Sequence, residues 1–133
     1  MIRLPVFGLT LALLTSACHR QSAERMSREP VFGEITLHVV NRNRLDVTVF
    51  VWHEGFRDRI GVATASMSSC FTVPLRNLGA GRDYYLIGVP IGARYNVTTE
   101  TLHAQDGDSV TWDIEDTFAR STVSVGAMTV PCR

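Results

Sequence analysis

The sequence predicts an all-β domain, an antiparallel sandwich of seven to eight short strands. Apolar and polar residues alternate with a period of two along much of the chain after residue 30, as in strands with one buried face. Turn-forming residues separate these segments at regular spacing, which is typical of sandwiches. The connections are too short for crossovers, so neighbouring strands are expected to be antiparallel. An immunoglobulin-like or transthyretin-like sandwich fits this pattern, and a small closed β-barrel is the alternative.

Eight segments carry this strand pattern. In chain order they are GEITLHVVN (33–41), LDVTVFVW (45–52), FRDRIGVA (56–63), SSCFTVPL (68–75), YYLIGVPIG (84–92), RYNVTTETLHA (94–104), SVTWDIED (109–116) and STVSVGAMTV (121–130). The residues expected to face the core are Ile35, Leu37, Val39, Val47, Val49, Val51, Phe71, Val73, Val110, Trp112 and Ile114.

Turn signals bound these strands. Asn41 and Asn43 of NRNR tolerate left-handed backbone, and HEG (53–55) and QDGD (105–108) predict two further turns. Pro74 is expected to close the fourth strand because proline cannot donate to a ladder. NLGAGRD (77–83) is expected to form a longer loop.

The N-terminal segment predicts export. Residues 1–17 hold Arg3, an apolar run from Leu4 to Leu14 and then small residues, the layout of a secretory signal peptide. The run is too short to span a bilayer core, which needs roughly 20 helical residues. Cleavage after Ala17 would leave Cys18 as the first mature residue, either as a free thiol or as a modified one.

Residues 14–18, LTSAC, favour modification. This stretch resembles the lipobox of bacterial lipoproteins, in which the cysteine receives diacylglycerol before signal peptidase II cleaves in front of it, and its amine is then usually acylated. The resemblance covers only the first eighteen residues, and it implies that Cys18 carries the lipid anchor. In enteric-type sorting, an aspartate directly after the lipidated cysteine favours retention in the inner membrane. His19 occupies that position here, which implies the outer membrane.

A polar tether follows the anchor. Residues 19–30, HRQSAERMSREP, carry both charge signs and no aromatic or β-branched side chain. Twelve residues reach at most about 40 Å when extended. We therefore expect a lipidated, flexible segment over 18–30 and the sandwich domain over 31–133, close to the membrane of a bacterial cell envelope.

The strand region itself resembles small bacterial lipoproteins with an uncharacterised β-domain. The stretches that carry this likeness are VVNRNRLDVTVFVW, RIGVA, CFTVPL and GVPIG. The resemblance supports the fold and implies no chemistry.

Composition excludes several functions. Thirteen basic and thirteen acidic residues balance, so no basic excess predicts nucleic-acid binding. All thirteen basic residues are arginine, which removes lysine-dependent catalysis.

The histidines show no metal-ligand spacing, and no G-x-S-x-G or phosphate loop is present. We expect no catalytic residue, no metal and no cofactor.

WHEGF (52–56) is the one candidate contact loop. If exposed, Trp52 and Phe56 would stack on a sugar or seat a partner's side chain. The favoured interpretation is a cross-strand aromatic pair that clamps the hairpin.

Cys70 and Cys132 are the two cysteines left after Cys18. An even pair in an oxidising compartment predicts a disulfide, with two unpaired thiols as the alternative. The expected function is a non-enzymatic, membrane-anchored binding or structural module whose partner is an envelope protein or a glycan. A lipid-anchored hydrolase with a dispersed Ser/His/Asp site, or an accessory subunit of an envelope assembly, are the alternatives.

Overall fold

The computed structural model describes residues 33–127 and Cys132. The predicted signal peptide, the lipid site Cys18 and the tether lie outside these residues. Within the described part the strands are β1 (Glu34–Asn41), β2 (Val47–His53), β3 (Phe56–Ala63), β4 (Met67–Pro74), β5 (Asp83–Pro90), β6 (Val97–Thr98), β7 (Leu102–His103), β8 (Asp108–Ile114) and β9 (Thr122–Ala127). Two 3₁₀ helices cover Leu75–Leu78 and Phe118–Arg120.

The strands form two sheets that pack face to face. The first sheet has the order β4-β1-β8-β9, and the second has the order β3-β2-β5-β6, with β7 pairing with one end of β5. Neither sheet closes on itself. The predicted sandwich is confirmed, and the barrel alternative is wrong.

The first sheet contains one parallel pair, which corrects the expectation of antiparallel neighbours. β1 runs parallel to β8, from Thr36 opposite Ser109 to Asn41 opposite Ile114. The expectation rested on the short links between consecutive strands. β1 and β8 are not consecutive, since the chain between them builds β4 and the whole second sheet, and this supplies the long crossover that a parallel pair needs.

The strand order also separates the two predicted sandwich types. In an immunoglobulin constant-type domain the first two strands lie side by side in one sheet. Here β1 and β2 belong to different sheets, so the immunoglobulin-like alternative does not fit. The transthyretin-like sandwich is the remaining alternative.

The predicted sixth strand is replaced by two short ones, which brings the described strands to nine. β6 and β7 are interrupted at Thr99, whose side-chain Oγ1 accepts the backbone N–H of Leu86 at 3.0 Å. The hydroxyl takes the place of a backbone carbonyl in the ladder with β5. The chain therefore leaves the sheet edge after Thr98 and returns only at Leu102.

Alternating side chains of both sheets form the core, as the sequence predicts. The largest fully buried side chains are Trp112, Tyr84, Ile35, Leu37, Leu75, Leu78, Leu86, Ile114, Val39, Val47, Val49 and Val51. Gly88 makes room for three core side chains, because a Cβ there would lie 2.6 Å from Cγ1 of Val97, 2.9 Å from Cγ1 of Val47 and 3.1 Å from Cη2 of Trp112.

The sandwich has two distinct ends. The chain enters the described part at Gly33, beside the β2–β3 turn and the segment 75–82; we call this the entry end. The segments at the opposite end, which we call the distal loops, are 42–46, 64–66, 91–96 and 115–121. No helix in the described residues is long and apolar enough to cross a bilayer.

Candidate binding site

Trp52 lies on the outer face of the second sheet. Its ring stacks against that of Tyr85 on the neighbouring strand, with centroids 6.1 Å apart and planes inclined by 22°. On its other side, Trp52 faces Arg57 of β3. Trp52 is half-buried, so one part of the indole contacts its neighbours and another part faces solvent.

Phe56 does not pair with Trp52, and the favoured interpretation of a cross-strand clamp is wrong. The predicted turn had three residues, 53–55. The actual turn has two, Glu54 and Gly55, both with positive φ (46° and 85°), as in the commonest hairpin turns. His53 therefore faces Phe56, with ring centroids 6.0 Å apart. The side chain of Phe56 is 66% exposed at the entry end.

The outer face of the second sheet is unusually apolar. The outward positions of an antiparallel sheet whose other side is buried are normally polar. Here five of them on β2 and β5 are apolar or aromatic, and we call this group the aromatic face: Phe50, Trp52, Tyr85, Ile87 and Val89. Four of these side chains are half-buried and Ile87 is 9% exposed. Their grouping on one outer face makes this face the candidate binding surface.

Charged side chains flank the aromatic face. The guanidinium carbon of Arg57 lies 3.7 Å from the centroid of the Phe50 ring, a cation–π contact. Arg59 is the cross-strand neighbour of Phe50. At the entry end, His103 Nδ1 lies 2.8 Å from Asp83 Oδ1. Polar groups therefore lie on β3 and at the start of β5 beside the aromatic face, and the Arg57 guanidinium lies over the ring of Phe50.

A second apolar surface covers the distal loops. Four of the six large hydrophobic side chains exposed in the described residues lie in or next to these loops: Leu45 (39%), Met67 (58%), Ile91 (58%) and Tyr95 (60%). The ring of Tyr95 packs edge-on against Phe118, with centroids 5.3 Å apart.

Asn41 holds the first distal loop in place. Its Nδ2 donates to the carbonyls of Leu45 and Ala63, both at 2.9 Å, while its Oδ1 accepts the N–H of Asn43 at 3.0 Å. Asn41 is 1% exposed. These three bonds use all the hydrogen-bonding capacity of the buried amide except one lone pair, two within the β1–β2 turn and one to the end of β3.

Further hydrogen bonds join the loops to one another. Oδ1 of Asp46 accepts the N–H of Ala65 at 2.7 Å, and its carbonyl accepts the N–H of Ile91 at 2.9 Å. The carbonyl of Asn43 accepts the N–H of Ser66 at 3.0 Å. These hydrogen bonds join the segment 42–46 to the segment 64–66 and to Ile91.

The distal loops also carry arginines. Arg42 forms ion pairs with Asp113 (3.4 Å) and Glu115 (3.2 Å). The distal loops hold three other exposed arginines, Arg44, Arg94 and Arg120. No acidic side chain of the described residues lies within ion-pair distance of them.

His53 forms a second acid–histidine contact. Its Nε2 lies 3.1 Å from Oδ2 of Asp58, and its buried Nδ1 has no hydrogen-bond partner in the described part of the chain. A hydrolytic triad needs a serine beside such a pair. No hydrogen bond in the described residues joins a serine to His53 or to His103.

Three surface clefts offer little to a dispersed hydrolase site. They have volumes of about 300, 330 and 110 Å³. The first holds Ser121 and Glu100, the second Ser66 and Ser68, and the third Asp58. None of these three clefts combines a histidine, a serine and an acid. Residues 33–127 and Cys132 also bring together no group of three metal-ligating side chains.

Cys70 and Cys132 form a disulfide, with their Cα atoms 5.5 Å apart. This is the pairing that the cysteine count predicts. Cys70 faces His38 across the β1–β4 ladder, so the bridge lies on the outer face of the first sheet, away from the aromatic face.

Sequence reasoning missed Tyr85 and the distal loops. The signal for Tyr85 was present in YYLIGV, a near-continuous apolar run that predicts apolar side chains on both faces of a strand. The distal loops had no such signal, because their exposed side chains come together only in the folded chain.

Comparison with known proteins adds little. No family model matches the sequence, and no curated protein matches it. Among solved structures, the chain is similar to the NMR structure of a protein from Eubacterium rectale. The identity is 17% and the TM-score 0.40, over 71% of this chain and 87% of that chain.

Proposed function

We propose that this chain is a non-enzymatic, lipid-anchored lipoprotein of the bacterial cell envelope whose β-sandwich binds a glycan on the aromatic face. The observation that carries the binding role is the stacked arrangement of the half-buried Trp52 and Tyr85 rings, with planes inclined by 22°, on the outer face of the second sheet.

Two features favour a glycan on this face. Sugar rings have an apolar face that stacks on aromatic side chains, and hydroxyl groups that need polar partners at the edge. Trp52 and Tyr85 supply the stacking surface, while Arg57, Arg59 and Asp83 supply donors and an acceptor around it. No member of the aromatic face lines any of the three clefts described above, and a surface outside a cleft suits a polymer better than a small enclosed substrate.

The anchor rests on the sequence. The lipobox at residues 14–18 supports lipidation at Cys18 and residence in the envelope, with His19 favouring the outer membrane. Several acyl chains on one residue exceed what stable anchoring requires. Labelling with radioactive fatty acid tests this: the wild-type protein should take up label and Cys18→Ala should not. Equal label in both would end the lipoprotein proposal.

Tryptophan emission tests glycan binding. Trp52 lies on the surface, whereas Trp112, the second of two tryptophans, is buried in the core. The full mature chain in detergent is titrated with chito-oligosaccharides and with solubilised peptidoglycan. We expect a saturable change that survives Trp112→Phe and disappears in Trp52→Phe.

Variants separate binding from hairpin stability. Tyr85→Ala should weaken binding about 5- to 150-fold, because one stacking ring is worth roughly 1–3 kcal/mol. Phe56→Ala is the matched control, since Phe56 is exposed near the same hairpin but lies off the aromatic face, and it should bind like wild type. Equal loss in both variants, or no change in emission with either glycan, would contradict the proposal.

A further inference from the structure

Two arginines lie beside the aromatic face on the edge strand β3, and we call them the arginine pair. Arg57 is paired with Trp52 and Arg59 with Phe50 across the β2–β3 ladder, and both arginines are exposed. Directly opposed residues of an antiparallel ladder share one face of the sheet. The arginine pair therefore belongs to the same outer face as the two rings.

A β-bulge next to the arginine pair leaves this arrangement intact. The register of the ladder shifts between Val49 and Phe50, and the extra residue on β3, Ile60, packs against the core. The shift lies beyond Arg59, so the alternation between Arg57 and Arg59 is unbroken. Two residues along a strand place their Cα atoms about 7 Å apart.

The ring of Phe50 holds Arg57 on the side of Arg59. The guanidinium carbon of Arg57 lies 3.7 Å from the centroid of the Phe50 ring, although the residue directly opposite Arg57 is Trp52. The Arg57 side chain therefore leans along the sheet towards the residue that is opposite Arg59. Stacking on a ring uses the flat side of a guanidinium and leaves its N–H groups free to donate at the edge.

The acidic side chains nearest in sequence contact other groups. Asp58 and Asp83, the two acids on the strands of the second sheet, each contact a histidine ring, at 3.1 Å and 2.8 Å. Glu54, in the β2–β3 turn, accepts the backbone N–H of Gly81 at 3.1 Å. These carboxylates therefore have partners of their own.

The charges of the second sheet are balanced in number but separated in space. Its strands hold two arginines and two acids, so they carry no net charge. Asp83 is on β5, which β2 separates from the arginine pair on β3. No acidic side chain of the described residues lies within ion-pair distance of Arg57 or Arg59. Two neighbouring guanidinium groups without a carboxylate offer donors to an oxyanion.

We propose that the aromatic face selects an anionic glycan, whose carboxylate or phosphate groups bind Arg57 and Arg59. This inference rests on the proposed glycan-binding function and names the class of glycan. The sugar ring stacks on Trp52 and Tyr85, and its acidic group lies beside Phe50, two residues along β2. A guanidinium donates to two oxygens of one carboxylate or phosphate, an arrangement that a single hydroxyl does not offer.

Matched pairs of glycans test the role of charge. The full mature chain in detergent is titrated with oligogalacturonate, which carries a carboxylate on each sugar, and with its methyl ester, which has the same rings without the charge. Phosphorylated mannose oligosaccharides and their dephosphorylated form are the second pair. Trp52 emission and isothermal titration calorimetry both report binding.

We expect the charged member of at least one pair to bind at least about fivefold more tightly than its neutral partner. The pair that shows the preference identifies the acidic group. The preference should shrink as salt rises past about 0.1 M, where the Debye length falls to about 10 Å.

Three variants locate the acidic group on the protein. Arg57→Gln and Arg59→Gln should each weaken binding of the charged glycan about fivefold and leave the affinity for its neutral partner unchanged. Arg59→Lys keeps the charge but loses the fork of donors, so it should recover only part of the preference. Arg44→Gln is the matched control, because it removes the charge of an exposed arginine in the distal loops, and it should bind like wild type.

Equal affinity for the charged and neutral members of both pairs would overturn this proposal and leave glycan binding in place. Equal weakening by Arg44→Gln and Arg59→Gln would also overturn it, because the effect would then come from overall charge. Preferential binding to phosphatidylglycerol vesicles, lost in Arg59→Gln, would assign the arginine pair to lipid instead. A chain that responds to no glycan would reject the proposed function and this inference with it.

Discussion

Asn41 holds the backbone of Asn43 through its side chain: Oδ1 of Asn41 accepts the N–H of Asn43 at 3.0 Å. The same amide donates from Nδ2 to the carbonyls of Leu45 and Ala63. One buried side chain thus joins the end of β1, the β1–β2 turn and the end of β3.

Asn41→Asp should destabilise the fold by about 2–3 kcal/mol, because it removes the donor from the buried carbonyl of Ala63 and the partly buried carbonyl of Leu45 and places an oxygen against them. Urea unfolding measures the loss. Asn96→Asp makes the same atomic change on an exposed residue and should stay within about 0.5 kcal/mol of wild type. Equal effects in the two variants would deny Asn41 this role.

Gly79→Ala should destabilise more than Gly92→Ala. Both glycines have positive φ, 76° and 82°, so alanine is strained at either position. The ψ of 171° at Gly79 also places that residue in a region that is nearly restricted to glycine and costs other residues about 1–3 kcal/mol. At Gly79 a Cβ would also lie 2.8 Å from Cδ of Glu54 and 2.9 Å from Nδ1 of His53, whereas at Gly92 it meets nothing within 4 Å. Crowding should add about 1–3 kcal/mol at Gly79 only. Thermal unfolding of the two variants measures this difference. Equal shifts in Tm would contradict the crowding at Gly79.

Stability should fall as pH rises above about 10, where an unfolded tyrosine loses its proton. Burial raises the pKa of Tyr84 above its ordinary value, and Asp108 raises it further. Below about pH 10 both states hold the proton; above it the unfolded state releases the proton first, so unfolding is favoured. Urea unfolding between about pH 8 and about pH 11 should show a flatter decline in Tyr84→Phe. Tyr85→Phe, on the aromatic face, should keep the wild-type decline of the free energy of unfolding with pH. If Tyr85→Phe flattens this decline as much as Tyr84→Phe does, Tyr84 is not the group responsible.

The Cys70–Cys132 disulfide closes a loop of 62 residues in sequence separation. The chain-entropy model gives such a loop about 4 kcal/mol of stabilisation. Dithiothreitol should therefore lower the urea midpoint of the wild-type protein and leave that of Cys70→Ser/Cys132→Ser unchanged. Thiol titration of unfolded, unreduced Cys18→Ala protein should find no free cysteine, and two reactive thiols would refute the bridge.

The period-two pattern predicted most of the fold because each long strand has one buried face. Val47, Val49 and Val51 face the core as their alternation requires. The pattern could not predict which strands become neighbours: the pairing of Thr36 with Ser109 depends on tertiary packing that no local signal records.

The candidate surfaces were less accessible to sequence reasoning. Trp52 stood out, but a one-residue error in turn length paired it with Phe56 instead of Arg57. Cross-strand partners change with every residue added to a turn. Leu45 and Ile91 lie at the same end of the sandwich only because the start of β2 pairs with the end of β5.

The parallel pairing of β1 with β8 also sets the order in which the chain can fold. Thr36 pairs with Ser109, 73 positions later, so one edge of β1 stays open until nearly the whole domain is available. Such non-local contacts slow folding, and an open strand edge can pair with other chains in the meantime. The first strand of the sandwich is thus among the last to be fully paired.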